Sequence, residues 1–157
     1  MIDEYISEFE EYAGIGSGSF SYLDGCLFVN TFSLRAYERA VSAGRYPLAA
    51  RRAFNAGDRM RYRFMMELFG LMLDRARFRQ DFGVPVERGL WLEFAFMKAC
   101  GAFRAADPRQ IRLSPKGRYL ELVMMREFFT AVDSLREQAR LALDADERRQ
   151  LICRDGG

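Results

Sequence analysis

The feature that most constrains this chain is its last long run. Ser114-Pro115 places an N-cap residue before a proline at the first helical position. From there Leu122, Met125, Phe129, Val132, Leu135, Ala139 and Ala142 recur at spacings of three and four. A second apolar stripe, Leu120, Met124 and Phe128, runs beside the first half. The pattern predicts one long helix, buried broadly at its start and along a single stripe later.

The segments ahead of it are shorter. Residues 2–12 are acidic and aromatic and read as a short helix or an irregular lead-in. Residues 12–22, which hold Gly14, Gly16 and Gly18, read as a glycine-rich strand, and 26–31 as a second strand. Asp24-Gly25 between them is a strong hairpin signal. Ser33 caps a helix that Gly44 ends, and residues 45–54 form a basic connector. Asp58 is placed to cap a helix over 59–73, with a short basic helix at 75–82 closed by Gly83. Pro85 precedes a helix over 86–100, and Asp107-Pro108 turns a hairpin between 102–105 and 110–114.

Helix, short helix, helix, hairpin, long helix is the order of a winged helix-turn-helix domain. That fold raises nucleic-acid binding, with the helix before the wing as reader. Here that helix carries Glu87, Arg88, Glu93 and Lys98, which cancel, among Leu90, Trp91, Leu92, Phe94, Phe96 and Met97. A major-groove reader needs an exposed polar and basic face. This helix reads instead as core, so the sequence does not favour nucleic acid as a partner.

Charge and composition exclude other classes. The chain has 157 residues, about one domain, and half of them are apolar, as in globular proteins. No apolar run approaches the roughly 18 residues of a membrane span, and the acidic start lacks the order of a signal peptide. The cytoplasm is the expected location, with no membrane partner. With no histidine, a Ser-His-Asp triad, a Cys-His dyad and His-ligated zinc or haem are excluded within the chain. Cys26, Cys100 and Cys153 are far apart and form no metal motif, and Cys100 is expected to pack as a small hydrophobe.

All but two of the 24 basic side chains are arginines, the exceptions being Lys98 and Lys116. Six arginines fall between Arg45 and Arg63 against one acid, Asp58. They read either as a clamp for a multiply anionic ligand or as a solvated face that answers the acidic N-terminal segment. The glycine-rich stretch has two readings as well. The glycines let a strand bend and pack closely, or they let backbone approach a ligand. It is not a dinucleotide fingerprint, because the third glycine of G-x-G-x-x-G and the following helix are missing.

At "YAGIGSGSFSYLDG", "NTFSLRAYERAVSAGR" and "LSPKGRYLELVMMREF" the chain resembles the C-terminal portion of the oxygen-independent coproporphyrinogen III oxidases, which are radical S-adenosylmethionine proteins. The resemblance covers about residues 10–143 and rests on Gly14 to Ser19, Tyr37 to Gly44 and Lys116-Gly117-Arg118 taken together. It implies a mainly α fold with a small β component: a winged-helix-like domain plus a long C-terminal helix, preceded by a remnant strand pair of a radical SAM barrel. The implied division is 1–32 for the barrel end, 33–143 for the accessory domain and 144–157 for a flexible tail.

The family's C-x3-C-x2-C cluster motif is absent. The resemblance therefore implies an excised accessory piece with no catalytic residue and no metal of its own. Its parent would use S-adenosylmethionine and a 4Fe–4S cluster for oxidative decarboxylation of propionate side chains of coproporphyrinogen III. Gly16, Gly18, Ser19 and Phe20 are the implied cofactor neighbours, with Phe20 standing where the better-known oxidases carry Ile. Arg45, Arg51 and Arg52 are the candidates for substrate propionates. The implied partners are the N-terminal barrel of the same polypeptide and a tetrapyrrole substrate, with an edge-strand dimer expected for the isolated piece. A haem chaperone, a porphyrin-acting radical methyltransferase and a winged-helix nucleic-acid binder are the alternatives.

Overall fold

A computed structural model describes residues 11–105 and 107–148. The acidic lead-in up to residue 10, Cys153 and the end of the expected tail lie outside the described residues. The chain is mainly helical, with two small antiparallel sheets. Its contacts divide it into two units, one made of residues 54–127, the other of 11–53 together with 128–148.

The second of these is built on a three-stranded sheet in the order β1-β2-β3, with β1 at Phe20–Leu23, β2 at Cys26–Asn30 and β3 at Leu48–Ala53. Asp24 and Gly25 join β1 to β2 with positive φ at both positions (47° and 67°), as a two-residue type I′ turn requires. Helix α1, Leu34–Ser42, follows β2 and is capped by the Ser33 hydroxyl, which accepts from the Ala36 N–H. Strand β3 replaces the expected connector. Its sequence, LAARRA, has little strand preference of its own. It is extended because β2 supplies the ladder, with a bulge at Ala49 between the Val29–Ala50 and Asn30–Leu48 pairs.

The glycine-rich segment is not the expected strand over 12–22. Tyr12 bridges Tyr22, and residues 13–19 fold back as a loop before β1 begins at Phe20. Gly16 and Gly18 have φ of 104° and 69°, outside the extended region a strand needs.

In the other unit α2 spans Ala56–Phe69, β4 Met72–Asp74, α3 Arg75–Phe82, α4 Val86–Gly89, α5 Trp91–Ala99 and β5 Gln110–Arg112. Asn55, not Asp58, caps α2, its side chain accepting from the Asp58 N–H. The expected helix over 59–73 stops at Gly70, and Leu71 takes a left-handed φ of 66°, which turns the chain into β4. Strand β4 then pairs with β5. The expected hairpin pairs its two arms through a Phe103–Leu113 bridge, the Arg104 N–H donating to the Arg112 carbonyl and the Ser114 N–H donating to the Ala102 carbonyl. The resulting order, helix, strand, three helices and a wing strand paired with β4, is that of a winged helix. The helix expected over 86–100 breaks at Leu90, whose φ/ψ of −127°/50° puts its side chain in the core.

That core holds Phe64, Leu68, Leu73, Phe78, Val86, Leu90, Met97, Ala102, Ile111 and Leu113. Helix α6, Pro115–Leu141, is the long helix the sequence predicts, and Ser114 caps it by accepting from the Gly117 N–H. Gly117 lies against the backbone of Ala102: a Cβ there would sit 2.0 Å from the Ala102 carbonyl oxygen. No helix among the described residues is long and apolar enough to cross a membrane.

Candidate functional site

Four of the residues singled out in the sequence come together around the glycine loop. The Ser19 hydroxyl donates to the Gly16 carbonyl at 2.8 Å. The Asn30 amide donates to that same carbonyl at 3.1 Å and to the Ser19 hydroxyl at 2.9 Å. The Gly18 N–H donates to the Thr31 carbonyl, and the Gly16 N–H donates to the Tyr37 hydroxyl at 3.1 Å. Gly18 cannot carry a side chain, since a Cβ would lie 2.8 Å from the Phe32 ring. The loop is thus a rigid hook on the end of the sheet, with Ile15 at its tip 92% exposed. Phe20 opens β1 directly after the hook, and the Arg136 guanidinium of α6 sits 6.0 Å from the centre of its ring.

Asn30 and Tyr37 organise this hook; sequence reasoning passed over Asn30 and marked Tyr37 only as the start of the Tyr37–Gly44 motif. Asn30 is buried, and its polar side chain interrupts the apolar stretch CLFVN, the one signal that marked it. A buried amide must find partners, and here the loop carbonyl supplies one.

The arginine cluster is divided between the two units. Arg51 and Arg52 are successive residues of β3, paired with Phe28 and Leu27 respectively, so they project from opposite faces of the sheet. The Arg51 guanidinium lies 5.5 Å from the centre of the Phe28 ring and reaches the Cys26 sulfur at 3.5 Å. Arg45 is exposed in the link between α1 and β3, its N–H donating to the Ala40 carbonyl. The other three of the six, Arg59, Arg61 and Arg63, lie on α2 in the winged-helix unit, where acids of α2 and of later elements meet Arg61 and Arg63. Arg61 donates to Glu93 at 2.6 Å, and Arg63 to Asp81 at 2.8 Å and Glu67 at 3.3 Å. The hydrogen bond from Arg61 holds the Glu93 carboxyl below its ordinary pKa. Burial pushes Glu67 up in spite of Arg63.

The helix at the DNA-reading position is not core, as its sequence suggested. Among the residues of α5 only Met97 is buried, while Trp91, Leu92 and Phe96 are exposed. The core place expected of this helix goes to Leu90, at the break. Cys100, expected to be packed, is exposed just past the end of α5. The winged-helix unit also holds Glu121 on α6, 2% exposed, with neither carboxylate oxygen hydrogen-bonded. Burial alone pushes its pKa up to about 7.

Among the described residues the donors do not fit an iron–sulfur cluster, since no group of three or more His, Cys, Asp or Glu residues there could hold a metal ion. The glycine N–H groups of the hook are taken: those of Gly14, Gly16 and Gly18 are bonded to Ser21, Tyr37 and Thr31.

No protein-family model and no curated protein matches this sequence. A solved structure does: coproporphyrinogen III oxidase (HemN) from Escherichia coli, described as a radical SAM enzyme, with a TM-score of 0.57 at 19% sequence identity. The match covers 73% of this chain and 27% of the oxidase, so the chain spans about a quarter of the length of the protein it resembles. At this identity the likeness establishes the fold.

Proposed function

We propose that this chain is a C-terminal accessory module of a radical SAM oxidoreductase of the coproporphyrinogen-oxidase type. The observation that carries the reading is the order of parts. A glycine hook welded to a small sheet precedes a winged-helix unit, in a chain that matches a quarter of such an oxidase in fold. In this reading the sheet docks onto the barrel of the parent, and the hook closes over one side of the cofactor pocket. Because its glycine N–H groups are internally bonded, the hook contributes chiefly shape and apolar contact, through Ile15 and Phe20. In this reading the cluster ligands belong to the parent's barrel.

The parent's S-adenosylmethionine and 4Fe–4S cluster would provide the radical chemistry, with oxidative decarboxylation of tetrapyrrole propionates as the reaction. Arg45 and Arg51 are then surface cations available to substrate carboxylates. The exposed Trp91, Leu92 and Phe96 favour this reading over a nucleic-acid binder, because an apolar reader helix has no complement in a phosphate-lined groove.

The test is reconstitution in trans. A barrel of the coproporphyrinogen-oxidase type, with its own matching segment deleted, is mixed with this chain. The expected result is a stable complex on size exclusion and restored formation of 5′-deoxyadenosine. Absence of a complex overturns the proposal, as does tight binding of duplex DNA by the chain.

A further inference from the structure

The second half of α6 and the turn after it lie on the sheet unit in an unusual way. Phe129, Val132, Arg136, Ala139 and Leu143 form a half-buried stripe at spacings of three and four, yet no residue from 128 to 146 is fully buried. The first buried residue is Glu147, only 7% exposed. Its carboxylate accepts from the Ser33 hydroxyl and, at 3.3 Å, from the Arg35 N–H at the start of α1. There the positive end of the helix favours an anion. Asp144 faces Arg35 at 3.9 Å and caps the final turn by accepting from the Glu147 N–H at 2.8 Å. At the other end Arg136 lies over Phe20. A segment with a shallow apolar stripe and one buried polar anchor is stabilised chiefly at that anchor.

We infer that residues 128–148 are a removable strap over the face of the sheet that carries Phe20, with Glu147 as its latch. With the latch set, Arg136 covers the ring. With it released, Phe20 and the β1–β2 face are bare. What the bare face meets, a barrel edge with its bound nucleoside, rests on the docking reading above. The latch itself does not.

Hydrogen exchange on the full chain tests the strap. Glu147→Ala should speed exchange about tenfold or more in 128–141 and in 21–29, as loss of a charged hydrogen bond implies. Residues 64–68 in the winged-helix unit should keep the wild-type rate. Glu147→Gln, which retains an acceptor oxygen, should accelerate the same two segments by less. Unchanged exchange in 128–141 would overturn the inference. So would faster exchange confined to α1, which would make Glu147 a cap and nothing more, or equal acceleration at 64–68, which would mean general destabilisation. No ligand enters this measurement. A failed reconstitution in trans therefore leaves the strap standing, and a failed latch leaves the docking reading standing.

Discussion

Replacing Glu121 by Gln should make the protein more stable at neutral pH. Glu121 is 2% exposed, both its oxygens lack hydrogen bonds, and its pKa is raised from 4.5 to about 7 by burial. A raised carboxyl pKa means that the fold prefers the protonated form. Below pH 4.5 the group is neutral in both folded and unfolded chains and no penalty arises. As pH rises from 4.5 to about 7 the unfolded chain ionises first, and stability falls over that window. Above it the loss is complete. At about 1.4 kcal/mol per pKa unit, the loss approaches about 3 kcal/mol, a large share of the roughly 5–15 kcal/mol that stabilises a domain.

The chain has no histidine, so the window between pH 5 and 8 contains few other titrations. Titrations other than that of Glu121 are common to both proteins and cancel in the difference. Urea unfolding followed by circular dichroism, at half-unit steps from pH 4.5 to 8.5, reads it directly. The expected difference between Glu121→Gln and wild type climbs by about 3 kcal/mol between pH 4.5 and 8 and then levels. A difference that does not change with pH would refute the reasoning, as would a carbon-13 titration placing Glu121 near 4.5.

Two further substitutions test the packing. Gly117→Ala forces a methyl against the Ala102 carbonyl, 2.0 Å away, and should lower stability by about 3 kcal/mol in thermal or urea unfolding. A loss under about 1 kcal/mol would show that the start of α6 can shift freely. Asn30→Leu removes both bonds that the Asn30 side chain gives the hook and leaves the Gly16 carbonyl without its amide donor. Stability should drop by about 2 kcal/mol, and the Gly16 and Gly18 amides should exchange faster, with unchanged exchange telling against the hook.

What was legible in the sequence is what local chemistry dictates. Ser33 and Ser114 cap helices because a hydroxyl can reach an N–H three residues on, whatever surrounds it. Gly83 ends α3 in a left-handed conformation, and Asp24-Gly25 makes its turn, for equally local reasons. Strands β3 and β4 were not legible, because neither has strand character apart from the partner that bonds it. The break at Leu90 follows from a core place that only the folded unit provides. The stripe on α6 is offset by one residue in both halves: Leu122 and Leu135 are exposed, while Glu121 is buried and Arg136 faces inward, where Phe20 gives its guanidinium a ring to lie on.

The candidate site divides along the same line. Sequence alone singled out Gly16, Gly18, Ser19 and Phe20, and excluded histidine chemistry and a cysteine cluster motif, since these depend on residue identity and spacing. Only the tertiary structure decided that the glycines form a loop, that Asn30 and Tyr37 hold it, that acids of later elements meet Arg61 and Arg63, and that Glu121 and Glu147 are buried. Burial and hydrogen bonding at these positions are set by groups tens of residues away. A carboxylate such as Glu147 carries no mark in the sequence of the helix end, 112 residues earlier, that it will anchor.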